Sequence, residues 1–181
     1  EVNNMLLVLG SLQQGFIYAI LALGIYISFR ILNIPDLTAE GSFTFGLAVS
    51  AAVTITGHPF WGIVIAIGAG ALAGIVTGII QTKIGVHPVL AGILTMSGLY
   101  SINLMVMNKS SNLSLIGNDT VYKISSTAMT FLSDEGNKLF VSVVVLLIAL
   151  VVVTLFFKMQ LGLCIRATGD NEAMVRASCF K

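Results

Sequence analysis

The stretch NIPDLTAEGSFTFG, residues 33–46, decides how this chain is read. It lies between two apolar runs, 5–34 and 42–56, yet it carries Asp36 and Glu40 together with Thr38, Ser42 and Thr44. Pro35 removes a backbone donor and disfavours helix at the residue before it. Gly41 loosens the backbone one turn later. A polar break at membrane depth is tolerated only where it is buried in protein or lines a water-filled cavity. Ionisable side chains at such a place are candidates for function.

Composition fixes the class around this stretch. Of 181 residues, 56% are hydrophobic and 9% charged, with a net charge of +1. A soluble domain carries about 25% charged residues. With a mean hydropathy of +0.98, the chain reads as an all-α polytopic membrane protein in a single membrane domain, 1–181. The charge balance excludes a nucleic-acid surface, which needs clustered Lys and Arg. Cys164 and Cys179 show neither CxxC nor metal-ligand spacing, so they read as small residues in a reducing cytosol. No basic region precedes the first apolar run, so no cleavable signal peptide is expected. The missing initial Met suggests that the N-terminus is trimmed or that its first residues are missing.

Five membrane segments are expected, some of them re-entrant: 5–34, 42–56, 61–82, 89–107 and 139–157. The first is longer than a roughly 30 Å hydrocarbon core requires, so it must tilt, kink or start in the interface. The second is slightly short. A long and a short segment around residues 33–46 fit a break that dips below the membrane surface; a loop at the headgroups is the other possibility. GHPF at 57–60 is a turn with Pro59 opening the next helix, and Trp61 is an interfacial anchor. The 61–82 helix carries Ala66, Gly70, Gly74 and Gly78 at four-residue spacing, a ridge that lets another helix pack closely.

The 89–107 helix holds Thr95, Ser97, Ser101 and Asn103. Hydroxyls can bond back to helix carbonyls. Asn103 is harder to leave unpaired: it takes either an interhelical hydrogen bond or a substrate contact. Residues 108–138 form an external loop, with a short strand pair expected around 120–126. Its Asn-x-Ser/Thr patterns at Asn108, Asn112 and Asn118 read as chance matches. Residues 139–157 form a lipid-exposed span. His58 and His87 fall in short loops on opposite sides, so they form no metal or catalytic pair.

Positive-inside counting sets the orientation. Arg30, Lys83, Lys158, Arg166, Arg176 and Lys181 fall on one side, against Lys109, Lys123 and Lys138 on the other. The larger set marks the cytoplasm and puts the N-terminus outside. An odd number of segments ending in a cytoplasmic stretch looks like an incomplete bundle.

Three stretches carry a family resemblance. YAILALGIYISFRILNIPDLTAEGSF at 18–43 resembles the first part of permease subunits of bacterial ABC importers of the branched-chain amino acid and ribose type. PVLAGILTMSGLYSINLMVM at 88–107 resembles the subgroup associated with tryptophan and other aromatic amino acids. GLCIRATGDNEAMVRAS at 162–178 is similar to the family's cytoplasmic coupling segment, and it is the most specific of the three. The residues of this segment fit a short helix at 161–166, a turn at Thr168-Gly169-Asp170-Asn171 and an amphipathic helix at 172–177.

The resemblance implies a multi-pass protein of the bacterial cytoplasmic membrane that imports a small molecule, an aromatic or branched-chain amino acid. It implies a second permease subunit, with a homodimer expected, a separate ABC ATPase and an extracytoplasmic substrate-binding lipoprotein, all surrounded by membrane lipid. No GxxxxGK[ST] stretch occurs in the chain, so ATP belongs on the partner and no cofactor or metal is expected here. Gly162, Arg166, Ala167, Thr168, Gly169, Asp170, Asn171, Glu172 and Arg176 are the expected coupling residues. Such permeases are longer, with further membrane helices after this segment, so a C-terminally truncated permease is expected.

Asp36, Thr38, Glu40, Ser42 and Asn103 are the substrate-pathway candidates. Asp36 and Glu40 would share one face of a helix. They could pair with a substrate amino group, or cap a helix starting near 38–42. A rival reading is an ion-coupled secondary transporter in which the same two acids bind the coupling ion. An intramembrane enzyme would need a nucleophile and base, or a metal cluster, within the helices, and the residues supply neither.

Overall fold

A computed structural model describes residues 2–110, 112–115, 117, 120–123, 134–171 and 175. Helix α1, Val2–Tyr26, runs directly into a π-helical segment, Ile27–Ile31. After it come α2 (Thr38–Ile55), α3 (Pro59–Thr82), α4 (Pro88–Val106), α5 (Asp134–Lys158) and α6 (Gln160–Asp170). No strand occurs among the described residues. Four stretches are long and apolar enough to cross a membrane: Asn4–Ile31, Pro59–Thr82, Pro88–Val106 and Gly136–Lys158. The chain is an all-α, polytopic membrane protein. Helix α2 is not among those four; Glu40 and its hydroxyl-bearing neighbours lower its hydropathy.

The chain divides into two compact units. One is Glu1–Pro35 with Met129–Lys181, and the other is Asp36–Ala128. In the second unit α2 packs on both α3 and α4. Small residues carry these crossings. A β-carbon at Gly41 would lie 3.2 Å from Met96 Cγ, one at Gly62 would lie 3.0 Å from the Ser50 carbonyl oxygen, and one at Gly92 would lie 3.1 Å from Leu37 N. Ala48, Ala69, Ala73, Ala91, Thr38, Thr54, Thr77 and Thr95 are buried, while Ile67, Leu72 and Met105 stand outward. Large apolar residues outside and small ones inside is the distribution that lipid favours, because helix association there rests on close packing. Three of these buried hydroxyls are satisfied within their own helices: Thr54 donates to Ser50 O at 2.7 Å, Thr77 to Ala73 O at 3.1 Å and Thr95 to Ala91 O at 3.0 Å.

In the first unit α1 packs against α5, and α6 folds back on both α5 and the π-helical segment. Met159 is extended and joins α5 to α6 with almost no connecting chain.

Several expected boundaries move. The polar break is shorter than residues 33–46: only 32–37 are non-helical. Residues 38–41, expected outside the short segment, already belong to α2, because Asp36 caps its first turn. Helix α5 starts five residues before 139, at Asp134. The expected turn at 168–171 is helical through Asp170. There Gly169 is held by tertiary contacts that override its poor helix propensity. The strand pair expected around 120–126 is not formed at 121–123, which are helical, and residues 124–126 lie outside the described residues. The packed ridge of α3 is also rotated from the one expected: Gly62, Ala69, Ala73 and Thr77 are buried. A β-carbon at Gly70, Gly74 or Gly78 would meet nothing within 4 Å among the described residues, and of the expected ridge only Ala66 makes a close approach, its carbonyl oxygen 3.6 Å from where a β-carbon at Gly46 would lie.

Candidate functional site

The break is built in two parts. On its first side, Leu32 N donates to Ile27 O at 3.0 Å, and Ile34 N donates to Ser28 O at 3.1 Å. The Ser28 hydroxyl donates to Ile34 O at 3.0 Å. These wide loops unwind the helix by stages rather than ending it at one residue. π-helical insertions of this kind concentrate at functional positions. Asn33 then takes φ 53°, a left-handed value that Asn tolerates better than most residues.

On its second side, Asp36 Oδ1 accepts hydrogen bonds from the Thr38 backbone N at 2.8 Å and from the Thr38 hydroxyl. Thr38 is only 2% exposed, so this carboxylate satisfies the start of α2 inside protein. Glu40 lies in the first turn, where the helix dipole favours a negative charge. It is exposed. Thr44 donates to Glu40 O at 2.7 Å, and Ser42 donates to Ala39 O at 3.0 Å.

A cavity of about 450 Å³ opens between α2 and α4. Gly41, Thr44 and Ala48 line it from α2; Met96, Tyr100 and Asn103 line it from α4. Asn103 Oδ1 is buried there and has no hydrogen-bond partner among the described residues, so the interhelical bond one reading assigned to it is not made by this oxygen. A buried unpaired carbonyl costs about 1–3 kcal/mol. Of the expected pathway residues, Asn103 alone lines this cavity. Ser42 faces α3 instead, in a shallower depression with Gly46 and Ser50. Asp36, Thr38 and Glu40 line neither. The sequence reading missed Gly41, Met96 and Tyr100 as a group. Their signal is helical spacing: Met96, Tyr100 and Asn103 share one face of α4.

The expected coupling residues form α6. A β-carbon at Gly162 would collide with the Phe156 carbonyl oxygen, so only glycine permits the sharp return after α5. One at Gly169 would collide with the Ile31 carbonyl oxygen. Asn33 Nδ2 donates to Gly169 O at 3.1 Å, which clips α6 to the end of the π-helical segment. Thr168 Oγ1 donates to Cys164 O at 2.8 Å in ordinary helical fashion. Arg166, Ala167 and Asp170 are exposed, and Asn171 is extended beyond the helix end. Glu172 and Arg176 lie outside the described residues. His58 and His87 precede α3 and α4 as exposed residues, and no cluster of metal-ligand type occurs among the described residues.

Four helical stretches of lipid-crossing length, an interruption at the end of the first, and a short helix fastened to that interruption define a polytopic helical membrane protein with a built-in break. Sequence comparison carries the assignment further: the chain belongs to the branched-chain amino acid transport system / permease component family, whose profile matches residues 7–181. It is 33% identical over 171 residues to the "Tyrosine transport system permease protein" of Clostridioides difficile (strain R20291), covering 94% of this chain and 54% of that protein. It is 35% identical over 165 residues to an uncharacterised protein of Rickettsia prowazekii (strain Madrid E), covering 91% of this chain and 55% of that one. The chain thus spans about half the length of the curated relatives it matches. No solved structure matches it.

Proposed function

We propose that this chain forms the membrane path of an ATP-driven importer of an amino acid with an aromatic or branched-chain side chain. The observation that carries the reading is the α2–α4 cavity. It joins apolar and aromatic walls, Met96 and Tyr100, to one buried and unpaired acceptor, Asn103 Oδ1. Ligand sites combine apolar walls with a few placed polar groups. An incoming ammonium or hydroxyl group would satisfy that oxygen. Membership of the permease family supports transport, and the tyrosine permease of C. difficile supports an amino-acid cargo.

The remaining parts follow as expectations of the same proposal. A separate ABC ATPase binds and hydrolyses ATP and seats α6, with Arg166, Asp170, Glu172 and Arg176 as polar contacts. A second permease subunit completes the path, and Gly70, Gly74 and Gly78 offer a ridge for a helix of the assembled permease. An extracytoplasmic lipoprotein delivers the cargo at the bacterial cytoplasmic membrane. Movement of α6 is passed to Asn33, and from there along the chain to the start of α2.

The ion-coupled alternative uses Asp36 and Glu40. The hydrogen bonds that Asp36 accepts from Thr38 weigh against it, since they engage the carboxylate in helix capping. The test is co-purification of the full-length permease with the ATPase encoded beside it, followed by ATPase assays in lipid discs. Stimulation by one amino acid plus its binding protein supports the importer. Uptake by the isolated permease down an ion gradient overturns it.

A further inference from the structure

A second cavity, of about 760 Å³, lies in the unit formed by Glu1–Pro35 and Met129–Lys181. Three cations line it from three different elements: Arg30 from the π-helical segment, Lys158 from the last turn of α5 and Arg166 from α6. Asp170 is its one acid, and Tyr26 adds a hydroxyl. Among the described residues none of the three cations forms an ion pair. The rest of the wall is apolar, with Leu23 of α1 facing Leu150 and Val153 of α5.

Unpaired like charges repel, so gathering three of them around one cavity is unfavourable unless an anion joins them. The helix ends explain part of the arrangement, because cations are favoured at C-termini. They do not explain Arg166, which sits in the middle of α6.

We infer that this cavity holds the phosphate of an anionic glycerophospholipid, with its acyl chains laid along the seam of α1 and α5. The charge selects an anionic headgroup. The apolar wall selects a lipid over a free phosphate, because the two walls belong to helices of membrane-spanning length. An acidic loop of a partner protein would satisfy the cations and leave that wall uncovered. By the positive-inside count the three cations lie on the cytoplasmic side, where basic pockets between membrane helices take lipid phosphates. The site touches α6, so lipid occupancy would set how firmly this helix rests on the π-helical segment. The lipid would occupy this cavity whichever solute is transported.

The test is native mass spectrometry of the full-length permease. The protein is delipidated in detergent and offered equal amounts of phosphatidylglycerol and phosphatidylcholine. The parent is expected to retain phosphatidylglycerol preferentially, with about a fivefold loss of preference for each cation removed. Arg30→Gln, Lys158→Gln and Arg166→Gln are made singly and together. Lys83→Gln with Lys109→Gln is the control and is expected to keep the parent's preference. The single variants keep the test open if the triple variant fails to fold. Equal retention in parent, single and triple variants overturns the site. Displacement of phosphatidylglycerol by millimolar inorganic phosphate reassigns it to a free anion and overturns the lipid. Loss of ATPase co-purification with unchanged lipid retention makes it a protein contact and also overturns the lipid.

Discussion

Asn33 and Gly169 stand 136 residues apart in sequence and share a hydrogen bond, Nδ2 to carbonyl oxygen, at 3.1 Å. Asn33 follows the π-helical end of the first span, and Gly169 belongs to the helix that family resemblance marks as the coupling element. The bond therefore joins the place where the first span breaks to α6, the helix on which an ATPase pushes in the proposed importer. Its geometry depends on two unusual residues: Asn33 at φ 53° and Gly169 with no room for a side chain.

Gly169→Ala tests the close approach. Its methyl group would drive α6 away from the Ile31 carbonyl, at a cost of about 1–3 kcal/mol for overpacking. The full-length permease is expected to insert normally but to lose substrate-stimulated ATPase activity in lipid discs. Undiminished stimulation would show that α6 need not touch the π-helical segment.

Asn33→Gly and Asn33→Ala separate the side-chain bond from the backbone shape. Both lose the bond, worth about 0.5–1.5 kcal/mol. Only Ala also has to hold a left-handed backbone, at a further cost of about 1 kcal/mol. Thermal unfolding in detergent should rank parent above Asn33→Gly above Asn33→Ala. The two variants should be equally uncoupled, since both lack the Nδ2 donor.

Asp36→Asn and Asp36→Ala distinguish capping from ion binding. Asn keeps a side-chain oxygen for Thr38 N, whereas Ala removes it at a cost of about 0.5–2 kcal/mol. Asp36→Asn should therefore preserve both stability and uptake, and Asp36→Ala should lower stability. Complete loss of uptake in a stable Asp36→Asn would return the acid to the transport chemistry.

Much of this architecture is legible in the residues. The apolar runs, Pro35, and Pro59 ahead of Trp61 mark the helices and the break because period, charge and proline act locally. What the sequence hides is which face of a helix meets another. Residues 66, 70, 74 and 78 of α3 and residues 62, 69, 73 and 77 are both rows of small side chains, and only tertiary packing chooses between them. Gly169 misled for a related reason. Gly followed by Asp and Asn is turn chemistry locally, whereas the contact that makes it helical comes from Ile31, far away in the chain. The orphan oxygen of Asn103 was half visible: an amide in a membrane helix demands a partner, but its absence shows only in three dimensions.

Asn103→Leu sets stability against function. The substitution removes a buried acceptor that has no partner and puts an apolar side chain of similar size on the same cavity wall. Folding should be unchanged or stabilised by up to about 1–3 kcal/mol, the penalty of the unpaired group. If Asn103 Oδ1 is the polar contact for the cargo, uptake by the full-length permease should fall by about tenfold or more, since a lost hydrogen bond to a charged group costs about 1.5–3 kcal/mol. Asn103→Gln, which keeps the amide but moves it, should fall between the two. Thermal unfolding and radiolabelled uptake on the same preparations decide the matter. A stabilised variant that no longer transports assigns the oxygen to the cargo, whereas a stabilised variant with full uptake removes the cavity from the path.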